Sequence, residues 1–93
     1  MDLAAFQGLM RDQYGERDGA RGIEATVAWI AEEVGELAKA VRKGTREEQL
    51  HELGDVLAWS ASLANQLGLS LDDAVRRYAD GCPKCTATPC RCG

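Results

Sequence analysis

Hydrophobic positions recur every three or four residues along most of this chain, and apolar and polar residues nowhere alternate for long. That period lines up one face of an α-helix, so the pattern predicts helices and gives strands little support. Leu3, Phe6, Met10 and Tyr14 mark a first helix. The polar, glycine-containing stretch from Gly15 to Gly22 predicts its end near Gly15 and a loop of mixed charge after it. Ile23, Val27, Ile30, Val34, Leu37 and Val41 form the clearest stripe, which Gly44 closes after Arg42 and Lys43. Thr45, with Glu48 three residues on, reads as a capping box. It opens a third helix that carries Leu50, Leu53, Leu57 and Ala61 or Ala64 toward the core and ends near Gly68. Ser70 caps a short fourth helix with Leu71, Ala74, Val75 and Tyr78, stopped by Gly81. The predicted fold class is all-α: a helical bundle of three long helices and one short one, closed by a small cysteine-rich tail.

Composition narrows the class without changing it. At 93 residues there is room for one hydrophobic core, and 45% apolar with 28% charged residues is ordinary for a folded globular domain. The longest apolar run, Val27 to Ala31, is far short of the ~18 residues a membrane span needs, and Met1-Asp2-Leu3 lacks the basic start of a signal peptide. A cytoplasmic location with no membrane partner is the expectation. The net charge is −4, but the last twelve residues carry Lys84 and Arg91 and no acid, which leaves −6 on residues 1–81. So acidic a body repels phosphate backbones, which argues against general nucleic-acid binding. An anionic ligand would need a bound cation.

The acids are placed suggestively. At about 100° per residue, Glu33 and Glu36 lie beside the apolar stripe of the second helix, on the flank that carries Trp29, with Glu32 one step further round. On the third helix Glu52 and Asp55 share the edge of the stripe, with Trp59 one turn beyond. If the two helices pack antiparallel across Gly44-Thr45, four carboxylates converge in one cleft. Carboxylates so gathered repel and lose water, and a divalent cation is the economical compensator. An all-oxygen donor set suits Mg²⁺ or Mn²⁺. The alternative is a solvated acidic face paired with lysines, the usual meaning of such charge on a helix.

The run Glu32-Glu33-Val34-Gly35-Glu36, followed by Glu52-Leu53-Gly54-Asp55, resembles the paired EExxE and ExxD signature of MazG-like nucleotide pyrophosphohydrolases. The similarity runs from about Leu3 to Tyr78. It implies an all-α fold, a Mg²⁺-dependent site and hydrolysis of a nucleoside triphosphate to the monophosphate and pyrophosphate. Carried over residue by residue, it makes Glu33, Glu36, Glu52 and Asp55 the metal ligands and Glu32 a carboxylate that orients or deprotonates water. The competing reading is a non-catalytic helical interaction module whose zinc tail grips a partner protein or nucleic acid, which would not need the second acidic pair.

Other residues carry two readings each. Trp29 and Trp59 either stack on a nucleobase or pack in the core or between subunits. Arg76, Arg77 and Lys84 either meet outer phosphates or are surface charge. Tyr14 to Asp18 with Arg21 form either a lid or a plain connecting loop. Glu48 and His51 match a di-iron carboxylate motif only formally, since that motif must come from two helices, and His51 reads as an exposed helix residue.

All four cysteines, Cys82, Cys85, Cys90 and Cys92, fall within eleven residues, and none occurs earlier. Without a signal peptide, such spacing reads as tetrahedral Zn²⁺ ligation before disulfides, with redox thiols or a disordered tail as the alternatives. The chain thus divides into a helical domain, residues 1–81, and a zinc-binding tail, residues 82–93. About eighty residues make a marginal core. Apolar residues at Trp29, Ala40, Trp59 and Leu63 also spread round the flanks of the stripes. Both facts predict a bundle completed by dimerisation. The family resemblance points the same way, to a homodimer or dimer of dimers.

Overall fold

Three of the four α-helices begin at a side chain that caps their first turn: Asp2, Thr45 and Ser70. In the computed structural model, which describes residues 1–93, the order is α1 (Leu3–Arg21), α2 (Ile23–Lys43), α3 (Arg46–Leu67) and α4 (Leu71–Val75), with a 3₁₀ turn over Arg76–Tyr78. There is no strand, and the all-α class holds. No helix is long and apolar enough to cross a membrane.

The capping box at α3 forms as read: Glu48 N–H donates to Thr45 Oγ1 at 3.1 Å, and Thr45 N–H donates to Glu48 Oε1 at 3.2 Å. Before it, Gly44 is required by crowding, since a Cβ there would lie 2.8 Å from the Ala40 carbonyl oxygen. After α3, Gly68 adopts the left-handed conformation, and Leu69 N–H returns to the Ala64 carbonyl at 2.9 Å. Ser70 caps α4 by accepting the Asp73 N–H.

One helix departs from expectation. α1 does not end near Gly15; it runs through Gly15 and Gly19 to Arg21, so no loop joins it to α2, only Gly22. A glycine inside a helix costs about 1 kcal/mol, which a continued face can offset. That face does continue, as Tyr14, Arg17, Asp18 and Arg21 follow Leu3, Phe6 and Met10 at helical spacing, and Asp18 is buried with an Arg21 hydrogen bond of 2.7 Å. The break comes where the backbone demands glycine, at Gly22 with φ +91°.

Packing is centred on α3, with α2 along one side and α1 along the other. Small residues, Ala40, Ala61, Ala64, Thr26 and Ser62, are buried where the helices approach. The Gln66 amide donates to Thr26 Oγ1 at 2.7 Å, tying the end of α3 to the start of α2. Gln7 ties α1 to the α3–α4 joint, donating to Leu69 O and accepting from Leu71 N–H, each at 2.8 Å.

The stripes meet inside the chain only in part: Ala61 and Ala64 of α3 are buried and Ile30 and Leu37 of α2 half-buried, as expected, while the rest of each stripe is not covered. Ile23, Val27, Val34 and Val41 of α2 and Leu50, Leu53 and Leu57 of α3 remain exposed, from 42% at Ile23 to 73% at Leu50. The helices are rotated so that part of the flank is covered instead: Ala40 is buried and Leu63 and Trp59 are half-buried. The Cα radius of gyration, 15.4 Å, exceeds the about 12 Å of a closed domain of this length. The single chain is an open layer of helices with one apolar face uncovered.

Candidate active site

The antiparallel pair α2 and α3 places the acids as their i,i+3 spacing requires. Glu33 on α2 lies near enough to Asp55 and Glu52 of α3, and to Glu36 one turn on, for their charges to act on it. Its carboxyl is held above the ordinary value of 4.5, by partial burial first and then by the charges of Asp55, Glu52 and Glu36. No lysine or arginine is ion-paired with Glu33, Glu36 or Glu52, and Asp55 pairs with His51 alone, at 3.3 Å. The ligand atoms of His51, Glu52 and Asp55 lie within 4.8 Å of one another. His51 is exposed, as expected. Glu32 faces solvent, one position before Glu33.

Two cavities flank the acids. One, of about 260 Å³, lies between α1 and α3 and is lined by Met10, Tyr14, Arg17, Arg21, Asp55 and Trp59, among others. Trp59 is its aromatic wall, with the Arg21 guanidinium 4.6 Å from the ring centre and Trp29 stacked at 5.7 Å, the planes 9° apart. Asp18 also lines it; Arg21 holds Oδ1, while buried Oδ2 has no partner. The other cavity, of about 250 Å³, is lined by Glu36, Lys39, Lys43, Glu48 and Glu52 beside the Gly44 turn. The acids therefore sit between an aromatic cavity and a lysine-bearing one.

The expected residues are not all gathered here. The charges of Asp55, Glu52 and Glu36 all act on Glu33, but only Glu52 and Asp55, together with His51, bring ligand atoms within 4.8 Å of one another; Trp59 shares the aromatic cavity with Asp55. Arg76 lines neither cavity; it hydrogen-bonds Asp72 at 2.8 Å and lies 3.4 Å from Asp73. Arg17 and Arg21 reach the aromatic cavity from a helix rather than from the loop or lid read in the sequence. Lys39 and Lys43 were not singled out, although they stand three and seven residues after Glu36, on its helical face.

The cysteines form a second group of prospective ligands. Backbone N–H groups of Arg91 and then Ala87 directed at Cys85 bring its thiol down to about 6. Sharing hydrogen bonds with Cys90, then Cys82, pushes Cys92 up to about 11.

Comparison with known proteins adds two findings. The family model of the MazG nucleotide pyrophosphohydrolase domain matches residues 21–84, which take in α2, α3 and α4 and stop ahead of Cys85. The uncharacterized protein YvdC of Bacillus subtilis (strain 168) is 32% identical over 97 aligned positions, covering 86% of this chain and 92% of that protein.

Proposed function

The chain belongs to the MazG nucleotide pyrophosphohydrolase family, and from that premise we propose that it is a Mg²⁺-dependent hydrolase of a ribo- or deoxyribonucleoside triphosphate. Its products are the monophosphate and pyrophosphate, its place the cytoplasm and its role house-cleaning. The observation that carries the reading is that the carboxylates of Asp55, Glu52 and Glu36 act on Glu33 across two helices while no lysine or arginine is ion-paired with Glu33, Glu36 or Glu52. Their donor set, carboxylate oxygen throughout, fits a hard ion such as Mg²⁺ or Mn²⁺. Glu33, Glu36, Glu52 and Asp55 would hold it. When bound, the ion neutralises the triphosphate and makes the α-phosphorus more electrophilic.

The remaining roles follow from the order of the cavities. Trp59 offers an aromatic face to the base once the Arg21 guanidinium moves aside, with Tyr14 and Met10 as further walls. Glu32 accepts the proton of the attacking water as its oxygen bonds to the α-phosphorus and the α–β anhydride breaks. Lys39 and Lys43, beyond Glu36, hold the departing pyrophosphate. Arg76, the other residue expected to meet phosphate, would first have to leave Asp72. A second copy of the chain, as a homodimer or dimer of dimers, covers the apolar stripes.

The test is a panel of nucleoside triphosphates with and without Mg²⁺, following pyrophosphate and orthophosphate separately. Pyrophosphate should appear without orthophosphate and should vanish in excess chelator; turnover that survives the chelator rules out the metal mechanism. Replacing Lys39 and Lys43 together by alanine should raise KM about tenfold or more through lost charge-assisted contacts, with a smaller change in kcat. An unchanged KM would remove the lysines from the substrate path.

A further inference from the structure

The last twelve residues contain no helix or strand, yet they fold back on themselves. The chain leaves the 3₁₀ turn through Gly81, whose φ is +107° and where a Cβ would lie 2.8 Å from the Thr86 carbonyl oxygen. Cys82 then makes backbone hydrogen bonds in both directions: its N–H donates to Ala87 O at 3.1 Å, and its carbonyl accepts from Thr86 N–H at 2.7 Å. This knuckle presents Cys82 and Cys85, and the returning segment adds Cys90 and Cys92. The Sγ atoms of Cys82 and Cys90 are 3.5 Å apart, those of Cys82 and Cys92 3.7 Å, and those of Cys85 and Cys90 3.9 Å. All four lie within 4.8 Å of one another.

The geometry points to one Zn²⁺ held by Cys82, Cys85, Cys90 and Cys92 in a closed, structural four-sulfur site. A tetrahedron with Zn–S bonds of about 2.3 Å has sulfur–sulfur edges of about 3.8 Å, which the three close separations match. A disulfide would need about 2.05 Å and would draw the sulfurs into two pairs rather than one mutual cluster. Two backbone donors already point at sulfur, Arg91 N–H at Cys85 and Cys92 N–H at Cys90, each at 3.3 Å, the outer contacts that thiolate ligands use. Four thiolates around a dication carry −2, and Lys84 and Arg91 within the same segment bring that to zero. Ligation transfers no electrons; each thiol gives its proton to solvent as its sulfur bonds the metal. Thiolate is a soft donor and carboxylate a hard one, so the two groups of ligands sort their metals, and four protein ligands leave no position for substrate. The ion's role is to hold residues 82–93 in one conformation that their sparse burial cannot enforce.

The proposal stands apart from the hydrolase reading, and its test separates the two. The full-length protein, purified without added chelator, should contain about one zinc per chain by elemental analysis. The Cys90→Ser, Cys92→Ser double variant should lose it while keeping its far-ultraviolet helical signal, and Glu36→Gln should retain it. Should the double variant fail to fold, Co²⁺ exchanged into the wild-type protein gives the deciding readout: the intense visible bands of tetrahedral cobalt thiolate. Several results would overturn the site: no zinc in the wild type, iron in its place, zinc lost from Glu36→Gln but not from the cysteine variant, octahedral cobalt, or a mass lower by four hydrogens from two disulfides.

Discussion

Glu33→Gln is expected to lower pyrophosphate release by about 10³-fold or more while making the metal-free protein more resistant to heat. The loss of rate follows from removing one charged donor of a four-carboxylate cluster; about 4 kcal/mol of transition-state stabilisation corresponds to 10³ in rate. The gain in stability follows from the same geometry. Burial, then Asp55 and Glu52, raise the Glu33 pKa in the folded protein, so the folded state binds this proton more tightly than the unfolded chain does. The penalty is complete above the raised folded value and absent below the ordinary value of 4.5, so its contribution to stability is recovered as pH falls between the two. Glutamine removes the charge at every pH. Because Glu33 is partly exposed, solvent screening keeps the gain small, and it is read as a rise in Tm at neutral pH that shrinks as the pH is lowered. Saturating Mg²⁺ should reverse the order, since it stabilises only the protein that binds it. Melting curves at two pH values, with and without Mg²⁺, check this. A variant that melts below wild type in the absence of metal would show that Glu33 is not under like-charge strain.

That repulsion was legible in the sequence because each step is local: helical spacing pairs Glu33 with Glu36 and Glu52 with Asp55, and the Gly44-Thr45 turn folds one pair back on the other. The caps at Thr45 and Ser70 were legible for the same reason, since each needs only residues within one turn. The end of α1 was not. The polar, glycine-containing stretch from Gly15 to Gly22 predicts an end near Gly15, but a glycine stops a helix only where the backbone must leave the helical region, and that is Gly22. The signal to continue lay in Arg17, Asp18 and Arg21, a polar extension of the apolar stripe that ends at Tyr14, and hydrophobic periodicity does not register it. Its functional consequence is large, because this extension lines the aromatic cavity. Lys39 and Lys43 belong to no motif, and only their helical face, shared with Glu36, links them to the acids. Arg76 drew notice, yet Asp72 and Asp73, four and three residues before it, hold it on α4. Periodicity reports that a helix has an apolar face and is silent on what covers it.

For the faces of α2 and α3 the expected cover is a second copy of the chain, and Leu50→Glu should abolish it. Leu37, Val41, Leu50 and Leu53 border one groove of about 380 Å³, and the last three are exposed in the single chain. Leu50 is 73% exposed, so in an isolated chain glutamate there would remove little packing, and it is a good helix former. In a two-fold dimer the same substitution acts twice, once from each chain. Each leucine withdrawn from the interface forfeits about 1.5–3 kcal/mol of burial, and each glutamate that replaces it must be desolvated. The combined cost of several kcal/mol weakens association by at least about 10³-fold. Light scattering at micromolar concentration should report at least twice 10.1 kDa for the wild type and 10.1 kDa for the variant. The Tm of the wild type should rise with protein concentration, and that of Leu50→Glu should not. If the partner completes the cleft, turnover will fall with the mass and return at high concentrations of a weaker variant such as Leu50→Ala. A wild-type chain that is monomeric and active would overturn the dimer, leaving the exposed stripes of α2 and α3 without a cover and Trp29 free to serve the base alongside Trp59.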